Sequence, residues 1–278
     1  MPESFYSITK TLIRLETPLA ELNQFCDYMW QEFLSPAPPD KTAAQITVLP
    51  SADQPDCFSI WKQGKIAFDW GRELHAVPSA LLSKALENIV SGHAINQIDK
   101  QELITLHAGA VSRNNSAILL LGESGHGKST LTLELIANHG WAYLTDEVGL
   151  LDAGQIVHPF LKTVSCKETG IVRLAPSWPV RSFGADHQIA VPKAIHGKPA
   201  PLHSIFFVRY DPDKPPSLAP MKKSAALLRL MNAQIGRAKS VASIEQMAEV
   251  VKKANAFQLI HNDATAAARL LTEHIETV

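Results

Sequence analysis

Residues 122–130 of the chain are Gly122, Glu123, Ser124, Gly125, His126, Gly127, Lys128, Ser129 and Thr130. The first eight have the spacing G-x-x-x-x-G-K-[ST], which is typical of a loop that binds phosphate. Glycines let consecutive backbone N–H groups turn inward around phosphate oxygens, because no Cβ stands in the way. A lysine at this position reaches the β- and γ-phosphates of a nucleotide, and the hydroxyl that follows ligates Mg²⁺. The segment is therefore predicted to bind a nucleotide with its metal.

The sequence on either side supplies the strand and the helix that this motif requires. Ala117–Leu121 is an unbroken apolar run, which predicts a buried strand. Thr130–His139 has apolar residues at helical spacing, and Gly140 stands where a helix stop belongs. A helix that starts at the loop adds positive partial charge at the phosphate position. A glycine-containing turn that matches the pattern by chance is the alternative, and this context disfavours it.

Composition excludes several classes of protein. The chain has 278 residues, 46% of them hydrophobic, and a formal net charge of −1, so it can form one large or two small domains and lacks the basic field of a nucleic-acid-binding protein. It has no apolar run long enough to cross a membrane, and its start does not resemble a secretory signal. Three scattered cysteines are typical of reduced thiols. We expect a cytoplasmic protein without nucleic-acid or membrane partners.

Residues 1–99 are predicted to form a small α/β cap. Four strands are expected in it, at Tyr6–Leu15, Ile46–Leu49, Cys57–Lys62 and Lys65–Trp70. Two helices are expected, at Pro18–Phe33 and Ser79–Ile98. The region is rich in aromatic residues, which favours the packing of a small core over a platform for bases or peptides.

Residues 100–278 are predicted to form the catalytic domain. The strand Leu103–Ser112 and the turn Arg113–Ser116 lead into the loop strand as a hairpin, so that strand has an antiparallel neighbour. The other predicted strands are Trp141–Leu144, Val148–Leu151, Gln155–His158, Leu202–Tyr210 and Ala256–His261. The other predicted helices are Met221–Ile235, one that a capping box opens at Ser243, and one that Asp263 caps. Pro176–Pro201 is predicted to be a long loop excursion, and it is the candidate for a lid or a segment that faces substrate.

Asp146 and Glu147 end a predicted strand eighteen residues after the loop lysine. One carboxylate can hold Mg²⁺, directly or through water, and the other can accept a proton from an attacking hydroxyl. A solvated acidic turn is the alternative. The cations of Pro159–Trp178, which are Lys162, Lys167 and Arg173, are predicted with equal weight to contact phosphate or substrate, or to be solvated.

Four segments carry a family resemblance: Leu106-His107-Ala108-Gly109, Leu121–Thr130, Leu144-Thr145-Asp146-Glu147 and Pro159-Phe160-Leu161-Lys162. Together they resemble the catalytic domain of HPr kinase/phosphorylase, and more closely the HPr-kinase-related kinases of bacteria. The likeness spans roughly residues 100–275. It implies an α/β fold like that of phosphoenolpyruvate carboxykinase, in which mixed, largely antiparallel β-sheets enclose the phosphate-loop helix.

The resemblance also implies ATP- and Mg²⁺-dependent phosphorylation of a serine. By position, His107 matches a histidine near the active site, and Lys128 and Ser129 match the phosphate and metal ligands. Asp146 matches the acid that deprotonates the substrate hydroxyl, and Glu147 matches the adjacent metal-binding acid. Hexamers occur in the family, so a homo-oligomer is among the expectations. The glycine-rich signature tied to dephosphorylation and to recognition of HPr is not found, so neither is inferred.

The sequence therefore predicts a kinase that transfers the γ-phosphate of ATP to a hydroxyl, most simply a serine of a protein or peptide. A nucleotide-binding regulatory or assembly module without phosphotransfer is the alternative from a different class, and a small-molecule kinase differs only in its acceptor. Two points stay open at this stage. Asp146 and Glu147 can exchange the roles of base and metal ligand, and pyrophosphate can replace ATP as the donor.

Overall fold

The computed structural model describes residues 1–8, 11–35, 44–52, 54–69, 71–98, 103–166, 177–184, 186–236 and 240–277, and its fold is mixed α/β with several sheets. In these ranges the helices, in chain order, are α1 (Ala20–Met29), α2 (Leu82–Ile98), α3 (Lys128–Asn138), α4 (Lys223–Ala233), α5 (Val241–Lys253) and α6 (Ala264–Thr277). Short 3₁₀ turns are formed by Gln31–Phe33, Ser79–Leu81 and Lys193–Ile195.

The strands of the same ranges are numbered in chain order. The first eight are β1 (Glu3–Ile8), β2 (Thr11–Glu16), β3 (Ala44–Pro50), β4 (Cys57–Lys62), β5 (Lys65–Ile66), β6 (Phe68–Asp69), β7 (Arg72–Glu73) and β8 (Val77–Pro78). The others are β9 (Ile104–Arg113), β10 (Ser116–Leu121), β11 (Ala142–Thr145), β12 (Val148–Leu151), β13 (Ile156–His158), β14 (Val164–Cys166), β15 (Val180–Phe183), β16 (Asp186–Ile189), β17 (Ala200–Tyr210), β18 (Ser217–Pro220) and β19 (Asn255–His261).

By its contacts the chain divides into two compact units. One consists of Met1–Ile98 and Pro179–Ala190, and the other of Asp99–Trp178 and Val191–Val278. The domains 1–99 and 100–278 stay a prediction, and the structure adds that a short later segment packs with the first part of the chain. That segment is the antiparallel hairpin β15–β16, so the prediction of a long loop over 176–201 is wrong for residues 180–189, and its role as a lid or substrate-facing segment stays a prediction. Its partners come from a distant part of the chain, where local sequence patterns cannot show them.

The first unit is built on a sheet with the strand order β1-β2-β3-β4-β5, to which β8 adds by pairing with β4. The single strand predicted at Tyr6–Leu15 is in fact two antiparallel strands, β1 and β2. Gln63 and Gly64 both have positive φ and form the turn between β4 and β5. Trp30 is buried with its ring 5.2 Å from that of Tyr6, as the core-packing interpretation expects, whereas Trp70 lies outside the described residues.

The second unit is built on a sheet with the strand order β10-β9-β12-β13-β17-β19-β18, with β11 also paired to β9. β10 pairs with β17 as well, so five strands close into a ring. The pairings that the structure describes in this sheet are antiparallel, except for β10–β17 and β17–β19, which are parallel. The predicted mixed α/β class is confirmed.

Local signals placed most helices and turns of this unit correctly. Asn114 and Asn115 both have positive φ in the β9–β10 turn, and Gly140, with φ +70°, ends α3 as predicted. Asp263 caps α6, because its Oδ1 accepts a hydrogen bond from Ala266 N at 2.7 Å. The capping box opens α5 three residues earlier than predicted, since Ser240 is the N-cap and Ser243 its N3 partner.

Among the described helices, none combines the length and the apolar composition that a membrane crossing requires.

Candidate active site

The phosphate-loop segment lies at the carboxyl ends of three neighbouring parallel strands. β10 ends at Leu121, the loop follows, and α3 begins at Lys128. β17 pairs with β10 in parallel, with Leu121 opposite Phe207. β19 pairs with β17 in parallel, with Tyr210 opposite His261. The antiparallel neighbour predicted from sequence is β9, so β10 has one antiparallel neighbour, β9, and one parallel neighbour, β17.

Three glycines give the loop its shape. Gly125 and Gly127 both have φ of +83°, in the left-handed region that favours glycine. A Cβ at Gly122 would lie 2.5 Å from the carbonyl oxygen of Val208, so β17 approaches the loop too closely for a side chain there. The remaining loop positions differ in exposure: Glu123 and Ser124 are exposed, and His126, Ser129 and Thr130 are half-buried.

Lys128, at the first turn of α3, is buried against the loop's own backbone. Its Nζ donates hydrogen bonds to the carbonyl oxygens of Gly122, at 2.6 Å, and Glu123, at 3.1 Å. Burial lowers the pKa of this amine, while the negative charges of Asp146 and Glu147 act in the opposite direction. The lysine therefore lies within electrostatic reach of both predicted acids.

Asp146 is 0% exposed, and neither carboxylate oxygen has a hydrogen-bond partner of normal geometry in the described part of the chain. Burial, and then the charge of Glu147, raise its pKa from 3.8 to about 7, although Lys162, the Ser129 hydroxyl and Lys128 act in the other direction. Buried carboxylates are rarely left without partners, so this one is set up for a proton, a cation or a substrate group. A carboxyl whose pKa lies near neutrality can accept a proton at physiological pH.

Glu147 and Lys162 form an ion pair beside this carboxyl. The Lys162 Nζ lies 3.3 Å from Glu147 Oε2, and the lysine side chain is fully buried. Its backbone carbonyl accepts a hydrogen bond from the buried Tyr143 hydroxyl at 2.9 Å, which fixes the segment after β13. Of the three cations predicted in this stretch, Lys162 thus belongs to the acidic cluster, whereas Lys167 and Arg173 lie outside the described residues.

His107 lies on β9 opposite Val148, the first residue of β12. Burial lowers the pKa of its imidazole, Lys128 and Lys162 lower it further, and Glu147 acts against them. An imidazole with two lysines nearby is neutral at physiological pH, so His107 can offer a hydrogen bond without adding charge.

The sheet explains why these groups meet. β11 and β12 both pair with β9, so the acidic turn between them is held over the strand that carries His107. Thr145 Oγ1 accepts a hydrogen bond from Val148 N at 3.2 Å and closes that turn. Gly109 keeps β9 close to α3, since a Cβ there would lie 2.5 Å from Thr132 Oγ1. Strand pairing and close packing therefore bring the loop lysine and the acids to one place.

Hard oxygen donors near a polyphosphate loop fit Mg²⁺, which prefers oxygen ligands. Within the described ranges, no three His, Cys, Asp or Glu side chains are arranged to hold a metal on their own. Mg²⁺ in phosphate sites is usually held by one or two carboxylates together with phosphate oxygens and water. The unpartnered carboxylate of Asp146, with Ser129 and Glu147, therefore fits a metal shared with a nucleotide.

His261 is a candidate functional residue that the sequence did not single out. It is the last residue of β19, only 2% exposed, and its ring lies against Gly127. The position of a polar residue at the end of a predicted strand is the sequence feature that could have indicated His261, as the same feature indicated Asp146.

No known protein family and no protein of curated function matches this chain. Among solved structures, the chain is similar to the Hpr(Ser) kinase/phosphatase from Coxiella burnetii, at 15% sequence identity and a TM-score of 0.32. The match covers 62% of this chain and 94% of that protein. A likeness this weak carries no argument about chemistry, and the resemblance to the HPr kinase/phosphorylase family stays a prediction.

Proposed function

We propose that this protein is a kinase that uses Mg²⁺ and ATP to phosphorylate a hydroxyl, most simply a serine of a protein or peptide. The observation that carries the proposal is the position of Asp146, a fully buried carboxyl that has no hydrogen-bond partner of normal geometry among the described residues and is coupled electrostatically to the phosphate-loop lysine. Structural carboxylates are normally solvated or hydrogen-bonded, so a buried carboxyl of this kind favours a functional site.

Each group has a defined part in the transfer. The loop N–H groups and the start of α3 hold the phosphates. The Nζ of Lys128 leaves the carbonyl oxygens of Gly122 and Glu123 and neutralises charge on the β- and γ-phosphates. The acceptor oxygen forms a bond to the γ-phosphorus as the bond from phosphorus to the ADP oxygen breaks. Asp146 takes the proton of the acceptor hydroxyl, and Lys162 holds Glu147 beside it. If Ser129 and Glu147 held it, Mg²⁺ would supply further charge neutralisation.

The full burial of Asp146 favours one second candidate, a module that binds nucleotide without passing phosphate to a partner. A transfer enzyme has to bring an acceptor hydroxyl to this carboxyl. Asp146→Asn separates the two functions, because the side chain keeps its size and loses its basicity. If nucleotide binding survives and phosphotransfer is lost, the kinase is supported. If the wild type labels no acceptor at all, the nucleotide-binding module is supported.

The direct test is incubation of the protein with γ-labelled ATP, Mg²⁺ and lysate of the source organism, followed by identification of the labelled species. Lys128→Ala should lower transfer by about 10²- to 10³-fold, the usual cost of removing one group that stabilises transition-state charge. Lys252→Ala is the matched control, because that lysine is exposed on α5 and pairs only with Glu249 of its own helix in the described contacts. Full activity of Lys128→Ala would reject the assignment.

A further inference from the structure

The imidazole of His261 is buried, and neither of its ring nitrogens has a hydrogen-bond partner of normal geometry among the described residues. Buried histidines normally satisfy at least one nitrogen, so an unpartnered ring of this kind requires an explanation. Burial lowers the pKa of the ring, although weak backbone hydrogen bonds with Asp263 and His126, and the charge of Asp263, act in the other direction. The ring is therefore a neutral group with one N–H donor and one acceptor.

The ring contacts the phosphate loop and a neighbouring aromatic residue. A Cβ at Gly127 would be 3.1 Å from His261 Nε2 and 3.2 Å from Cε1. The ring centroid is also 5.8 Å from that of Tyr210, in an edge-on arrangement. His261 thus touches the residue that turns the chain from the loop into α3, with φ of +83° at that point.

The Lys128 side chain has to change its hydrogen bonds when the loop takes up a phosphate. Lys128 Nζ is engaged with the carbonyl oxygens of Gly122 and Glu123, and it must leave them to reach a phosphate oxygen. Gly127, which the His261 ring contacts, directly precedes Lys128 in the chain, so the ring touches the loop next to the lysine that has to change its contacts.

We propose that His261 is a positioning residue for the phosphate loop, which hydrogen-bonds the backbone of residues 126–127 when a Mg²⁺-bound polyphosphate occupies it. The contact holds Gly127 in its left-handed conformation, so that the N–H groups at the start of α3 keep facing the ligand. The two nitrogens then contribute to nucleotide affinity and not to the stability of the empty protein. This inference rests on the proposed function, because it requires a nucleotide phosphate in the loop.

His261→Phe tests it, because phenylalanine keeps a ring against Gly127 and removes both nitrogens. The dissociation constant for a non-hydrolysable ATP analogue with Mg²⁺, measured by calorimetry, should rise about tenfold, the weight of one hydrogen bond. The melting temperature of the ligand-free protein should stay the same or rise, because two unsatisfied polar atoms leave the interior. A purely structural histidine would give the opposite pattern. If His261→Phe fails to fold, His261→Leu serves in the same comparison.

Leu259→Val is the matched control, since Leu259 is fully buried on the same strand two residues earlier. It should lower the melting temperature and leave the dissociation constant unchanged. The inference is overturned if His261→Phe binds the analogue as the wild type does, or if Leu259→Val weakens binding equally. If the wild type binds neither the analogue nor pyrophosphate, the proposed function fails and the inference falls with it. That outcome is distinct, because the unaltered protein then shows no binding.

Discussion

Asp146 combines two properties that seldom occur in one side chain, complete burial and the absence of a hydrogen-bond partner of normal geometry within the described ranges. A protein keeps such a group at some cost in stability, and these costs concentrate where chemistry is done. The neighbouring cations partly offset the cost. Lys162 and Lys128 both favour the ionised form of the carboxyl, although burial and Glu147 outweigh them.

The loss of stability caused by burying Asp146 can be measured through its dependence on pH. The pKa of Asp146 is raised in the folded protein, so the folded state holds its proton after the unfolded chain has lost one, and stability falls as the pH rises from about 4 to about 7. Asp146→Asn cannot ionise and escapes this loss. Its melting temperature should therefore match that of the wild type near pH 4, exceed it by a growing margin up to about pH 7, and exceed it by a constant margin above that.

Asp152→Asn is the control with the opposite sign. Burial alone would raise the pKa of Asp152, but hydrogen bonds from His158 and from the backbone N–H of Ile156 outweigh it and lower the pKa. This variant should be less stable than the wild type at neutral pH, and the difference should vanish as the pH falls. A difference in melting temperature for Asp146→Asn that stays constant from pH 4 to pH 8 would contradict the assigned environment.

The spacing between α3 and β9 depends on Gly109. α3 carries the loop lysine, β9 carries His107, and the two elements meet where Gly109 faces the buried hydroxyl of Thr132. Thr132 is β-branched and fully buried, so it has little freedom to move away from an added methyl group. A glycine in the middle of a strand normally weakens it, and close packing is the reason this one is needed.

Gly109→Ala should therefore destabilise the protein by about 1–3 kcal/mol, the usual cost of overpacking a core. Gly92→Ala is the matched control, because Gly92 lies in α2 with no atom within 4 Å of its added Cβ. That substitution should stabilise the protein by about 0.5–1 kcal/mol through helix propensity. The free energies of unfolding of both variants can be measured by chemical denaturation. Equal effects of the two substitutions would show that the contact between β9 and α3 accommodates an added methyl group.

The first unit of the molecule is discontinuous along the chain. The hairpin β15–β16 completes it through several contacts with α1 and with the start of α2. Phe183 packs 5.8 Å from Phe25, and the Tyr28 hydroxyl accepts a hydrogen bond from Ala190 N at 3.1 Å and donates one to the Pro179 carbonyl. Ser83 Oγ donates to Asp186, and Gly184 lies against the backbone of Ala80.

A fragment of residues 1–98 should consequently be less stable than the same fragment with residues 179–190 joined by a flexible Gly/Ser linker. A gain of about 1 kcal/mol would raise the melting temperature of a domain of this size by about 4–8 °C. The control is the joined fragment with Phe183→Ala, which should lose most of that gain. If the fragment of residues 1–98 melts at the same temperature as the joined form, the hairpin contributes nothing to this unit.

The strand and the helix on either side of residues 122–127 were predictable because their signals are local. Glycines at fixed offsets, an apolar run and a helix stop all lie within about 25 residues of one another, and the structure places these elements where the pattern predicts them. The β9–β10 hairpin belongs to the same class, since two asparagines specify its turn. The acidic pair was also found from its position at a strand end.

The composition of the site around that loop was decided by strand pairing between distant segments. β17 lies beside β10, and β19 beside β17, through pairings of residues that stand 50 to 90 positions apart in the sequence. Those pairings bring His261 against Gly127, and the return of the chain after β13 brings Lys162 to Glu147. Local backbone conformation depends mainly on residues that are adjacent in the sequence, so it can be predicted from the sequence of one protein. Contacts across a sheet depend on register, which only the packed core selects.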